Sequence, residues 1–262
     1  MPTTAEVGSV HTEDSGRVRV LTFHRPSRAN AFDSALYRSA AEALRAADAD
    51  PTIGAVVLTG AGRSFTAGTD LAEMVAQVDT DGGDDGGGHH PFTLFLNAVT
   101  DCSKPLLAAV NGAAVGLGLT LLAHCDLVLV SENARLRAPF TVMGVVPEAA
   151  SSYLLPRRMN RQAAIAALLT SDWITATEAV QSGLALRVCP AEDLLPATVE
   201  LAQRITAHPD ASVRATRRLI RESERDEITA ALRREGEAFA EILRSPAIGD
   251  QIRDHLSEQR RS

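Results

Sequence analysis

Three short stretches of this chain carry residues that could do chemistry: "SFTAGTDL" at 64–71, "NGAAVGLGLT" at 111–120 and "VMGVVPEAASSYLLPRRM" at 142–159. The first two share a character. Each follows an apolar run, contains glycine that lets backbone approach a ligand closely, and leads into a helix whose first N–H groups have no intrahelical partner. A helix start with free N–H groups attracts negative charge, so two such loops could form an oxyanion hole. The alternative is that Gly68, Gly116 and Gly118 only permit tight packing. In the third stretch one carboxylate, Glu148, follows Pro147 in otherwise apolar or small surroundings. Proline fixes its own φ, so the chain turns here and a helix is expected from about Ala149. Glu148 is then either a first-turn carboxylate complementing the helix dipole, worth under ~1 kcal/mol at an exposed site, or a general base.

Other chemistries find less support. Neither glycine loop has the spacing of a dinucleotide fingerprint or a phosphate-binding loop. "EAASSYL" is not a nucleophile elbow, so Ser151 and Ser152 are read as helix or packing residues. His89 and His90 stand beside Asp84 and Asp85 in "DTDGGDDGGGHHP", a glycine- and aspartate-rich surface loop whose side chains are expected to be solvated; no metal is assigned. Cys102, Cys125 and Cys189 form no C-x-x-C pair and are read as buried small hydrophobes.

With 262 residues, 45% hydrophobic and 23% charged, the chain is long enough for a sizeable core. A net charge of -7 argues against nucleic acid or an anionic membrane as the main partner. No apolar run approaches the ~18 residues of a membrane span, and the N-terminus lacks the basic-then-apolar order of a signal peptide, so the expected location is the cytoplasm. Lys104 is the only lysine in an arginine- and alanine-rich chain.

The elements that must position these residues follow from periodicity. "RVRVLTFH" alternates as a strand, with "VGSVHTEDSG" as its hairpin partner and Asp14 to Gly16 in the turn. Asp33 can cap a helix through "SALYRSAAEALRAAD", with Leu36, Ala40, Ala43, Leu44 and Ala47 on one face. "IGAVVLTG" is a buried strand, followed by a helix near "DLAEMVAQV". A second cycle gives a helix at "PFTLFLNAVTDC", a buried strand at "KPLLAAVNG", a buried helix at "GLGLTLLAHC" and paired strands in "DLVLVSENARLRA". From "TATEAVQSG" onward the chain is mostly helical.

Together these stretches resemble the crotonase superfamily, the enoyl-CoA hydratase/isomerase family. The resemblance runs from "HRPSRANAF" through "SFTAGTDL", "KPLLAAVNGAAVGLGLTLLAHCDLVLVSENARLRAPF" and "TATEAVQSGLA" into the C-terminal helices. It implies an α/β fold, a spiral of β-β-α units over residues 1–195 with a helical trimerisation region over 196–262. It also implies an acyl-CoA thioester substrate, a homotrimer or dimer of trimers, and no cofactor beyond the coenzyme A of the substrate. By position the two oxyanion donors are the N–H groups of Thr69 and Leu117.

Within the superfamily, side chains choose the reaction. Hydratases carry two glutamates, and their positions match Thr120 and Phe140 here, neither of which is an acid. The stretch around Glu148 instead is similar to Δ3,Δ2-enoyl-CoA isomerases of the peroxisomal type, whose catalytic glutamate stands in this context. That resemblance makes Glu148 a proton shuttle in an apolar pocket. It implies further that coenzyme A is held by the "RPSRA" turn, with Ser27, Arg28 and Ala29, and by backbone at Ala67, Gly68, Asp70 and Leu71, with Gly116 beside the oxyanion position. An acyl slot is expected from Met74, Phe95, Val99, Val115, Phe140 and Met143. The other readings are hydration or other crotonase-type thioester chemistry, and a catalytically silent acyl-CoA binder.

Overall fold

A computed structural model describes residues 6–73 and 90–243. Met74, His89, Asp84 and Asp85, most of the helix expected near "DLAEMVAQV" and the last 19 residues of the chain lie outside the described residues.

Among the described residues ten strands build two sheets. The larger has the order β1 (Ser9–Ser15), β2 (Val18–His24), β3 (Ala55–Gly60), β5 (Leu106–Val110), β7 (Leu127–Ser131), β10 (Arg187–Cys189). The smaller has the order β4 (Ser64–Thr66), β6 (Ala113–Val115), β8 (Arg135–Arg137), β9 (Ile174–Thr175). The β1–β2 pair is antiparallel with Ser15 opposite Val18, which places the turn at Gly16 and Arg17. Every other pair of the larger sheet is parallel. Every residue of β3 and β5 is buried, as expected for strands covered on both faces.

From β3 to β8, consecutive strands enter different sheets. β3, β5 and β7 join the larger sheet, and β4, β6 and β8, each following within a few residues, join the smaller one. The strands in "DLVLVSENARLRA" therefore do not pair with each other as expected; β7 pairs with β5 and β8 with β6. A hairpin period is legible in sequence, but the partner of each strand is set by a neighbour one turn of the spiral away.

The first helix, α1 (Ser34–Ala49), buries Leu36, Tyr37, Ala40, Ala41, Leu44 and Ala47. Asp33 caps it by accepting from Leu36 N–H at 2.7 Å, an interaction worth about 1 kcal/mol. At its other end Lys104, fully buried, donates to the carbonyls of Ala47 and Asp50. The sole lysine is thus a C-terminal cap that places a cation against the negative end of the helix dipole. α2 (Pro91–Asp101) packs against α1. Three short elements follow: α3 (Leu117–Thr120), α4 (Ser151–Arg158) and α5 (Arg161–Thr170). α6 (Ala176–Gln181) starts with a capping box between Thr175 and Glu178.

Helix α7 (Leu194–Thr206) crosses the boundary expected at 195/196. It covers the second face of the larger sheet, packing Leu194 and Ala202 with Val18, Val20, Val57, Leu107 and Leu129 in a core cluster separate from the main one. α8 (Asp210–Glu222) and α9 (Arg225–Leu243) follow it in the helical C-terminal region. Arg217 of α8, in the arginine-rich run "RATRRLIRES", is buried and donates to Asp126 Oδ2 and to the Cys102 carbonyl. The three cysteines are free and buried. No described helix is long and apolar enough to cross a membrane.

Candidate active site

The smaller sheet brings the three stretches together. β4, β6 and β8 are adjacent and parallel, so the segments leaving their C-terminal ends emerge side by side. Those segments carry Thr69, Leu117 and Glu148 in turn. Three successive windings of the spiral thus deliver one residue each to a common place, although the first and last stand 79 positions apart by their numbers.

The first two loops touch through backbone. Gly68 has φ +89, and a side-chain carbon added there would lie 2.6 Å from the Val115 carbonyl oxygen and 3.4 Å from the Leu117 nitrogen. No other residue permits that approach. Gly116 has φ 53 and ψ -114 and serves as N-cap of α3, which lets the chain turn so that Leu117 opens the helix. Gly68 thus answers to a close backbone approach, whereas Gly116, whose added side-chain carbon would meet open space, answers to its left-handed φ alone. On the Thr69 side, Phe32 N–H donates to the Gly68 carbonyl at 2.7 Å and Asp70 N–H to the Phe32 carbonyl at 2.9 Å, which turns Thr69 N–H away from that ladder. Among the described residues neither Thr69 N–H nor Leu117 N–H donates to any group. Leu117 is buried and Thr69 partly buried, so both N–H groups are open to an acceptor from outside the chain, water or a ligand oxygen.

Glu148 faces the second loop. Its Oε1 accepts from the Thr120 hydroxyl at 2.6 Å, and that hydroxyl also lies 3.3 Å from the Leu117 carbonyl. Its Oε2 is enclosed and accepts no hydrogen bond from the described residues. Burial pushes the carboxyl up to about 7, against the Thr120 hydrogen bond, with the negative charge of Glu235 adding to the rise. Phe140, Met143 and Val145 are buried nearby in the same segment. The helix expected at Ala149 begins two residues later, at Ser151, because Ala149 and Ala150 both adopt left-handed backbone, φ 59 and 57. Glu148 thus stands outside the first helical turn, and the helix-dipole role does not fit its position.

The acyl-slot residues divide. Phe95 and Val99 lie at 0% exposure inside the main core, with the Phe95 ring in tilted contact with Phe32 and Tyr37, while Val115 is only partly buried beside the Leu117 loop. On the coenzyme side, Ser27 and Arg28 are exposed on the 3-10 turn Pro26–Arg28, and Ser27 bonds to Glu6. Ala29 ends that turn with φ 49, and its carbonyl accepts from Ala67 N–H at 2.9 Å. The "RPSRA" turn is therefore stitched to the loop that holds Thr69. Asp70 is committed to Arg25 at 2.7 Å and to Ala72 N–H at 3.0 Å, and Leu71 packs on the core.

Three residues here escape sequence reasoning. The Tyr37 hydroxyl shares a 2.7 Å hydrogen bond with Thr69 Oγ1, and burial followed by the Glu148 charge raises its pKa. His124 and Glu235 both bond to the turn that follows Glu148. A lone histidine in the apolar run "TLLAHC" is a signal that could have marked His124. Tyr37 and Glu235 occupy ordinary helical positions, and nothing in their local pattern separates them.

Comparison with known proteins gives the family. The model of the family described as enoyl-CoA hydratase/isomerase matches residues 13–254. The 2,3-dehydroadipyl-CoA hydratase of Escherichia coli (strain K12) is 34% identical over 231 residues, 85% of this chain and 86% of that protein. The enoyl-CoA delta isomerase 2 of Rattus norvegicus is 34% identical over 217 residues, 82% of this chain and 55% of that protein. The crystal structure of an enoyl-CoA hydratase/isomerase from Pseudoalteromonas atlantica T6c superposes with a TM-score of 0.88 at 37% identity, covering 95% of this chain and 97% of that one. With its spiral of paired strands and its three converging loops, this chain belongs to the enoyl-CoA hydratase/isomerase family of the crotonase superfamily and is an enzyme of that family.

Proposed function

We propose that the chain shifts the double bond of a 3-enoyl-CoA into conjugation, giving the 2-enoyl-CoA. The observation that carries this reading is the state of Glu148: one oxygen held by Thr120, the other unpartnered, in apolar surroundings and without a cation. The thioester carbonyl accepts from Thr69 N–H and Leu117 N–H. Glu148, as the carboxylate, removes a proton from carbon 2, and the electron pair moves through the thioester to give a dienolate whose oxygen lies between the two donors. The protonated Glu148 then returns the same proton to carbon 4, leaving the double bond between carbons 2 and 3. One carboxylate suffices, since proton and electrons balance within the substrate. A group with a pKa near 7 is suited to both steps at neutral pH.

Hydration is the competing reaction, and it is favoured by the names of most similar relatives, among them the Escherichia coli hydratase. Thr120 and Phe140 weigh against it. At the positions where hydratases carry their two glutamates, this chain offers a hydroxyl engaged with Glu148 and a buried ring. The step asks for no metal or prosthetic group, and EDTA should leave turnover unchanged. The exposed Leu219 and Ile220 on α8 support self-association through the C-terminal helices, which light scattering reads directly.

The test is a paired assay on the wild type. A 3-enoyl-CoA should gain the absorbance of the conjugated thioester, and a 2-enoyl-CoA in water should lose it far more slowly. Hydration faster than isomerisation would overturn the proposal.

A further inference from the structure

The turn that follows Glu148 is an expensive piece of backbone. Ala149 and Ala150 are consecutive left-handed residues, each costing roughly 1–2 kcal/mol relative to right-handed backbone. Such a pair persists only where its surroundings impose it. Ala150 is also the N-cap of α4 and offers no side-chain cap.

Two buried side chains grip this turn from opposite sides. Glu235 of α9, 8% exposed, accepts from Ala150 N–H through Oε2 at 2.7 Å and from Ser152 N–H through Oε1 at 2.9 Å. His124, 3% exposed on the 3-10 turn Leu121–His124, lies with Nε2 2.7 Å from the Ala149 carbonyl. A carbonyl only accepts, so Nε2 carries the proton. Burial lowers the His124 pKa to about 4, so the ring stays neutral. The grip holds the carbonyl of the first left-handed residue and the N–H of the second.

We propose that Glu235 and His124 are positioning residues, which clamp the Ala149–Ala150 turn and thereby aim the Glu148 carboxylate into the site. The inference rests on Glu148 being the base. A local cap for α4 would need only a serine or aspartate at position 150, whereas here the cap arrives from 85 residues away in sequence. It also sets a second carboxylate near the base, an arrangement that raises the pKa of Glu148 and costs stability. Docking of α9 is consequently what completes the catalytic loop. The groups facing Glu148 are Thr120 on α3, Glu235 on α9 and Tyr37 on α1, with neutral His124 beneath the turn.

Glu235→Gln keeps the shape but turns an amide toward one of the two N–H groups. In the full-length protein, with Tm recorded, kcat for isomerisation should fall about 10- to 100-fold, as expected for a displacement of the base of the order of 1 Å. KM should stay within about threefold, because a base acting in the transition state adds little to ground-state binding. The acid limb of kcat/KM should also move to lower pH, since the lost negative charge had raised Glu148; the fall in kcat at near-constant KM is what a merely structural cap would not produce. The double variant Glu148→Gln/Glu235→Gln should be no slower than Glu148→Gln alone. A folded Glu235→Gln with kcat within about twofold of wild type, or a fully additive loss in the double variant, would overturn the clamp. If Glu235→Gln does not fold, Glu235→Asp, which keeps the charge but shortens its reach, is read by the same kcat criterion: a loss supports the clamp and wild-type turnover overturns it. Glu148→Gln retaining turnover is a separate outcome that strikes the base assignment itself.

Discussion

Asp70 and Glu148 flank the site from two sides, and their electrostatics are opposite. Burial pushes both upward. For Asp70 the Arg25 guanidinium and the N–H groups of Ala72 and Glu73 outweigh burial, and the carboxyl is held below its ordinary range. Glu148 meets no cation, only the Thr120 hydroxyl, and stays near 7. The partner, more than the depth of burial, decides whether a carboxylate is a fixed charge in the framework or a group that can trade protons. Asp70 joins the turn at Ala31 and Phe32 to the Thr69 loop through Arg25, which also lies 3.3 Å from Asp33. Glu148 makes one side-chain hydrogen bond, to the Thr120 hydroxyl, and keeps its other oxygen available.

The comparison is sharpened most strongly at Glu148 itself. Glu148→Gln keeps the hydrogen bond to Thr120 within reach but removes the base, and isomerase kcat should fall ~100- to 10,000-fold with KM little changed. Turnover preserved in the folded variant would make the two carboxylates alike in function. At the other carboxylate the effect should be on folding. Arg25→Met strands Asp70 and Asp33 without their cation, which for a largely buried pair costs about 3–5 kcal/mol; urea unfolding measures it, and a loss below about 1 kcal/mol would show the network to be no stronger than a surface pair.

Leu117→Pro removes one main-chain donor at a first helical position, where proline is tolerated. Turnover should drop ~100- to 1,000-fold at near-normal Tm, and an active, folded variant would exclude this N–H from the site. The smallest effect concerns pH. The folded pKa of Glu148 is raised from 4.5 to about 7, so the native state binds the proton more tightly than the unfolded chain. The stability contributed by Glu148 is therefore full below about pH 4.5 and is lost as pH rises through about 7, by up to about 3 kcal/mol. Glu148→Gln should remove that slope and be more stable than wild type at pH 8, while kcat/KM of the wild type rises with pH through about 7. A wild-type stability that is flat between pH 5 and 8 beside an unchanged Gln variant would place Glu148 in a wetter setting than the one described.

Much of the frame is legible from local pattern. The all-buried β3 and β5, the Asp33 cap and the amphipathic face of α1 are near-neighbour facts, fixed by side-chain period and by backbone groups a few residues away. The glycines of both loops and the lone Glu148 could be singled out because each departs from its surroundings. What the pattern of a single stretch cannot carry is which strand lies beside which, so β7 and β8 read as partners although the spiral separates them into different sheets.

From the amino-acid sequence alone come the superfamily, the two glycine loops, and the absence of acids at positions 120 and 140. The tertiary structure decided that Thr69, Leu117 and Glu148 meet at one end of the smaller sheet, that Glu148 stands before its helix on a left-handed turn, and that Thr120, Tyr37, His124 and Glu235 surround it. The physical reason is range: propensity, capping and period act over a few residues, while burial of Glu148 and the grip of Glu235 arise only when segments 28 and 85 positions apart are packed against one another and water is excluded between them.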